Sequence, residues 1–318
     1  MLMKMSKKII IFIIATLTTI CIFEMILRIA GDIYLKQLYV HTEGKRNPGK
    51  TNIICLGESS TAGLDVAWED SYPSQLKTLL KKEYPGKTID VIVPPHVGQN
   101  TSQVVNRIEQ YIELYSPRLI ILMIGYNNEW SLAESHIGEF LQSDSLQTQK
   151  IMALCSLNNL RLFKMLRYLY LSFIVKEESN YMEGLKGTYY IWGGPELVRW
   201  PPKKWIYSFA DTHRDAFIKL WRYDVQEIIS AARKHNINIL LMTYHINPTY
   251  LSGQEFIAMA HKNNIPLIRN DKTFQTLIDN RTIQSYLLRD NWHPNKYGYA
   301  LIAENALQVI RDKKLLDE

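Results

Sequence analysis

Four groups of residues in this chain have types that could do chemistry. The first, "ICLGESSTAG" at 54–63, ends an apolar run in Gly57-Glu58-Ser59 and carries two adjacent serines. The second is Gly98 in "HVGQNTS", the third Gly125-Tyr126-Asn127-Asn128, and the fourth Asp290-Asn291-Trp292-His293-Pro294. A serine at this place could lie in a nucleotide loop, act as a nucleophile on a turn, or mark a strand that ends in polar residues. Its hydroxyl is a weak nucleophile until a base takes its proton, and a histidine can do that near neutral pH. Taken singly, each group has an ordinary reading. G-[DE]-S arises by chance, a glycine after a strand is a turn, paired asparagines cap helices, and D-x-x-H in a loop is surface chemistry. Their common order and their places relative to the strands are much harder to obtain by accident.

Those places follow from the periodicity of the flanking segments. Asn52–Leu56, "TIDVIVPP" and "RLIILMIGYNNEW" read as strands, and the third is continuously apolar, as in a parallel sheet covered on both faces. "SYPSQLKTLLKKEY" places Leu76, Leu79, Leu80 and Tyr84 on one helical face, and "SQVVNRIEQYIELY" does the same with Val104, Val105, Ile108, Ile112 and Tyr115. "VQEIISAARKHNINILLMTY" and "FIAMAHKNNIPLIRN" each read helix then strand, and "KYGYALIAENALQVIRDKK" is a closing helix. Alternating strands and helices at short spacing predict one mostly parallel sheet with right-handed crossovers. Ligand sites of such sheets gather beyond the C-terminal ends of the strands, where the four groups fall.

Two regions depart from that rhythm. From Ile9 to Leu27 the only charge is Glu24, and nineteen helical residues rise roughly 28 Å, close to the hydrocarbon thickness of a bilayer. Arg28 spoils a small-x-small cleavage site near Ala30, and Thr18 and Ile20 do not make Cys21 a lipobox cysteine. Residues 1–30 are therefore expected to be an uncleaved signal anchor or transmembrane helix. Lys4, Lys7 and Lys8 precede the span and favour a cytoplasmic N-terminus with an exported domain. Residues 31–50 read as a linker, and 51–318 as the functional domain with an insertion at about 131–225. Within the insertion, "IMALCSLNNLRLFKMLRYLYLSFIV" carries Arg161, Lys164 and Arg167 at three-residue spacing. An amphipathic helix, packed on the core or lying on a membrane surface, is expected there rather than a second span. The stretch 176–212 is rich in Gly, Pro, Tyr and Trp and reads as a long ordered loop near the site.

The order Gly-Glu-Ser, Gly, Gly-Tyr-Asn-Asn, Asp-Asn-Trp-His resembles the SGNH/GDSL hydrolase family over about 52–130 and 225–312. The resemblance implies a three-layer α/β/α sandwich with a mostly parallel, flavodoxin-like sheet. It implies Ser59 as nucleophile, His293 as general base and Asp290 as the group that orients His293. It also implies an oxyanion hole from Ser59, Gly98 and Asn127. Glu58 stands where the family has Asp, and Asn128 where it has the Asp of G-x-N-D. The chemistry is coherent. Asp290, three residues before His293, can fix the imidazole tautomer, and Pro294 holds His293 in extended backbone. Backbone N–H groups and the Asn127 amide can serve a developing O⁻.

Rival readings of the opening motif fail on detail. No lysine follows Gly63 as a P-loop requires, and "GESSTAG" lacks G-x-G-x-x-G spacing. Thr61 stands where a G-x-S-x-G elbow needs glycine. His96, His245 and His261 lack metal-ligand spacing and read as structural or surface groups, so neither cofactor nor metal is expected. The net charge of +6 is spread along the chain, and its densest clusters, Lys203-Lys204 and Lys313-Lys314, are short. That argues against nucleic acid as a partner and leaves weak attraction to anionic lipid or envelope polymer. Three cysteines without C-x-x-C spacing suggest neither a disulfide framework nor a zinc site. The expected activity is a membrane-anchored serine esterase cleaving acyl, such as acetyl, esters from an envelope glycan or lipid-linked substrate. The alternatives are an O-acyltransferase using the same triad and a non-catalytic envelope assembly protein.

Overall fold

The computed structural model describes residues 7–41, 49–94, 99–129, 132, 134–142, 145–158, 160–170, 212–247, 250–289 and 291–317. Five strands, β1 Thr51–Gly57, β2 Ile89–Ile92, β3 Leu119–Met123, β4 Asn238–Met242 and β5 Leu267–Ile268, pair in parallel in the order β2-β1-β3-β4-β5. This is the flavodoxin-like order expected from the resemblance. Its topological switch point lies between β1 and β3, the crevice where doubly wound sheets hold ligands. β1 and β3 are buried almost throughout, which is why both read as unbroken apolar runs.

Right-handed crossovers then assign the layers. The helix after β1, α3 (Tyr72–Glu83), packs with the last helix, α11 (Lys296–Asp312). On the other face α8 (Arg214–Lys234) packs with α4 (Thr101–Val105), α5 (Ile108–Tyr115) and β4, while α9 (Gly253–Asn263) packs on β4 and β5. A short helix, α10 (Asn270–Asp279), follows β5.

Three boundaries differ from the sequence reading. The segment read as one helix through "SQVVNRIEQYIELY" is two, α4 and α5, broken at Asn106-Arg107. A capping box between Asn100 and Gln103 starts α4, and Arg107 turns back to the Gln103 carbonyl and to Glu134, at 2.8 Å each. Next, α8 begins at Arg214 rather than at 225, so part of the supposed insertion belongs to the core. Phe217, Leu220, Trp221, Val225 and Ile228 are all fully buried, and the Trp221 indole N–H donates to the Ile124 carbonyl at 2.9 Å. Finally, the N-terminal helix α1 runs from Lys7 to His41, well into the segment read as a linker. No proline or glycine interrupts it between Gly31 and Gly44.

Within α1, Lys7–Gly31 is long and apolar enough to cross a membrane, and none of its most apolar window is buried against the protein. Two of its threonine hydroxyls bond within the helix: Thr16 and Thr19 donate to the carbonyls of Phe12 and Ala15 at 2.9 Å. Arg28 pairs with Glu24 one turn earlier at 2.8 Å. The insertion contributes α6 (Leu146–Asn158) and α7 (Arg161–Tyr170). The aromatic-rich stretch 176–212 lies outside the described residues except for Thr212.

Candidate active site

β1 ends at Gly57, where no side chain fits. A Cβ there would lie 2.0 Å from Thr61 Oγ1 and 2.5 Å from the Met123 carbonyl. The chain then enters α2 (Ser59–Ala62), a single turn. Thr61 and Ala62 both donate their N–H to the Glu58 carbonyl at 2.9 Å, so the turn starts at Glu58 and Ser59 is its first helical residue. Ser60 and Thr61 lie inside the turn, both buried.

The partner of Ser59 comes from 234 residues further along. His293 Nε2 lies 2.9 Å from Ser59 Oγ, so hydroxyl and imidazole share a proton position. Several ties hold the histidine's loop. Leu287 and Pro294 form an antiparallel bridge, and the Leu288 N–H donates to the His293 carbonyl at 2.8 Å. Asn295 caps α11 through the N–H groups of Tyr297 and Gly298, and its amide also donates to the Leu287 carbonyl. His245, buried after β4, lies with Nε2 2.5 Å from the Trp292 carbonyl. A carbonyl only accepts, so Nε2 of His245 carries the hydrogen. The structural reading of His245 therefore has a specific content: it holds the residue before His293.

The third strand end is tied to the first through Glu58. This carboxylate is almost fully buried. Oε1 accepts the N–H of Gly125 at 3.0 Å and of Asn127 at 2.9 Å, and Oε2 accepts the Tyr244 hydroxyl. Tyr244 in turn accepts the Tyr126 N–H at 3.0 Å. Burial pushes Glu58 up to about 7, in spite of the donors that favour its charged form. Gly125 sits at φ 131°, and a Cβ would strike Trp221 Cδ1 at 2.6 Å, so only glycine serves there. Ring contacts continue the link: Tyr126 lies 4.5 Å from Trp292 and 6.0 Å from Tyr244, centroid to centroid. One connected path thus joins Glu58, the Asn127 turn and the His293 loop.

Of the site residues expected from sequence, the structure brings Ser59 and His293 into contact and anchors the backbone of Asn127 on the residue before Ser59. Gly98 and Asp290 lie outside the described residues, as does His96. His261 is an exposed residue in the last turn of α9. Sequence reasoning missed a second buried cluster behind the site. Asp224 accepts Thr101 Oγ1 at 2.5 Å and Ser102 Oγ at 2.7 Å, and its other oxygen lies 2.9 Å from His136 Nδ1. Thr101 also donates to Asn128 Oδ1 through its N–H at 2.9 Å, which steadies the Asn127-Asn128 turn. The Asp224 carboxylate, by hydrogen bonding, raises His136 above the usual histidine range. The signal for α4 was present as Asn100-x-x-Gln103; nothing in local spacing marks Asp224.

No protein-family model matches the chain, and neither does any curated protein. Solved structures to which it is similar include the psychrotrophic esterase EstA from Pseudoalteromonas sp., at 15% identity and TM-score 0.46 over 85% of this chain and 100% of that one. An acetyl xylan esterase, AlAXEase, is similar at 17% identity and TM-score 0.45, over 81% of this chain and 99% of that one. A lipase/acylhydrolase from Enterococcus faecalis is similar at 14% identity and TM-score 0.44, over 83% and 97% respectively.

Proposed function

We propose that the chain is a membrane-anchored serine esterase of the SGNH/GDSL kind, with its catalytic domain exported. The observation that carries this reading is the 2.9 Å approach of His293 Nε2 to Ser59 Oγ at the switch point of a doubly wound sheet. His293 takes the Ser59 proton as Oγ attacks the ester carbonyl. An acyl-enzyme forms, the imidazolium returns the proton to the leaving alcohol, and water repeats the sequence to release the acid. Asp290 orients the imidazole. Ser59 N–H, Gly98 N–H and the Asn127 amide stabilise the oxyanion. The substrate is an acyl ester, such as an acetyl ester, on an envelope glycan or lipid-linked molecule. An exported domain tethered to the membrane by α1 is in reach of such esters.

Treating the full chain in detergent with a fluorophosphonate should label one residue, Ser59, located by peptide mass spectrometry. Labelling elsewhere, or none in folded protein, would sink the reading. Asn127→Ala should lower kcat by about 10² to 10³ with little change in KM, because its amide acts only on developing charge. A change confined to KM would remove Asn127 from the oxyanion hole.

A further inference from the structure

The membrane helix and the inserted helices meet at one carboxylate. Glu24 Oε1 accepts the N–H of Arg161 at 3.0 Å, and Oε2 accepts the N–H of Leu162 at 2.8 Å. These are the first two residues of α7, so a side chain of α1 satisfies two of the N–H groups that a helix start leaves without intrahelical partners. Arg28 completes the carboxylate's partners. The Arg161 guanidinium also lies over Gly31, where a Cβ would stand 3.9 Å from Cζ. Glu24, the one charge between Ile9 and Leu27, is thus the seat of α7.

The position of that seat is informative. At about 1.5 Å per residue, Glu24 lies about 22 Å along the axis from Ile9, so in a hydrocarbon core of about 30 Å it falls about 8 Å short of the far boundary. Amphipathic helices that lie on membranes bury their apolar face about 5–10 Å into that same boundary. α7 has such a face: Leu162, Leu166 and Leu169 follow one another at four and three residues, and Leu166 is 53% exposed and Leu169 37%. Leu157 and Leu160, at the junction with α6, are 40% and 41% exposed. The basic positions 161, 164 and 167 recur at every third residue of the same helix.

We propose that α7, with the α6–α7 junction, is a second membrane contact. Its leucine face enters the interface of the bilayer that α1 spans, and the basic composition of the same helix favours an anionic headgroup layer. The occupant of this face is lipid, because the face is continuous, through Glu24, with the exposed apolar surface of α1. The inference rests on the anchor reading of α1. It adds that the domain is docked on the membrane at two places and held at a fixed height, rather than swinging on a tether.

The test uses the full chain in vesicles, with Cys21 and Cys155 replaced by alanine and an environment-sensitive fluorophore at one new cysteine. Leu166→Cys reports on α7, Phe12→Cys on the span and Tyr297→Cys on an exposed position at the start of α11. In phosphatidylcholine vesicles containing phosphatidylglycerol, a shallow nitroxide lipid should quench the label at 166 by about twofold or more. A deep nitroxide should quench the label at 12, and neither should quench that at 297. Adding Glu24→Ala should weaken quenching at 166 and leave that at 12 intact. Quenching at 12 without quenching at 166 would overturn the second contact and leave the anchor standing. No quenching at 12 would overturn the anchor itself, and the inference with it. Burial of the label at 166 in detergent that grows with protein concentration would assign the face to a second copy of the chain instead.

Discussion

Replacing Ser59 by alanine is expected to lower hydrolysis of a short-chain chromogenic ester by about 10⁴-fold or more, the loss seen when a nucleophile is taken from a Ser-His pair. The fold should survive. Ser59 Oγ makes its described contact only with His293, and the α2 turn is held by backbone bonds to Glu58. Thermal unfolding of the variant in detergent should therefore stay within about 0.5 kcal/mol of the parent. Ser60→Ala is the matched control. Ser60 is buried within α2 and has no contact with His293 among the described hydrogen bonds, so its alanine variant should keep most of the activity. Equal losses at both positions would mean that the alcohol facing His293 has been misassigned. Unchanged hydrolysis in Ser59→Ala would end the esterase mechanism proposed for this chain.

The second large effect is expected at Glu58, which never touches the reacting atoms in this scheme. Glu58→Ala leaves the N–H groups of Gly125 and Asn127 and the Tyr244 hydroxyl without their acceptor in a buried space. A buried group left unsatisfied costs about 1–3 kcal/mol, so the variant should lose several kcal/mol of stability. Its kcat should fall by more than about tenfold, because the turn that presents Asn127 loses its anchor. Glu58→Gln separates charge from shape. Burial raises the folded carboxyl from 4.5 to about 7, so the folded chain keeps a proton that the unfolded chain releases. The resulting stability is fully present below about 4.5 and is lost as pH rises through about 7. Relative to Glu58→Gln, the parent should thus lose on the order of 3 kcal/mol between about pH 5 and about pH 8, read by thermal unfolding. A pH-independent difference would mean that its three donors hold Glu58 charged throughout.

The parts of this architecture legible in the sequence are those written by burial. β1 and β3 are covered on both faces, so they appear as apolar runs, and Ser59 and Asn127 could be placed at their ends without coordinates. The Ser59–His293 pair was reached by motif order, not by spacing, since no local pattern reports a contact across 234 residues. What stayed hidden depends on side chains meeting across the fold. The seat of α7 on Glu24, the hold of His245 on the Trp292 carbonyl and the Asp224 cluster are of this kind. The exchange of Asp for Glu at 58 looked neutral as a letter. In space, the longer side chain receives donors from two other strand ends. The break at Asn106-Arg107 was missed because apolar spacing carries through it, while Arg107 and the Asn100-Gln103 box end one helix and start the next.

The separation of Ser59 from His293 also sets a clock. Ribosomes add about 5–20 residues per second, so roughly 12–50 s pass between synthesis of the hydroxyl and synthesis of its base. Throughout that interval Ser59 has no His293 imidazole to pair with. His293 is followed by α11, which packs back onto α3 on one face of the sheet. On the proposed mechanism, the hydroxyl therefore lacks its base until the segment that carries His293 has been made.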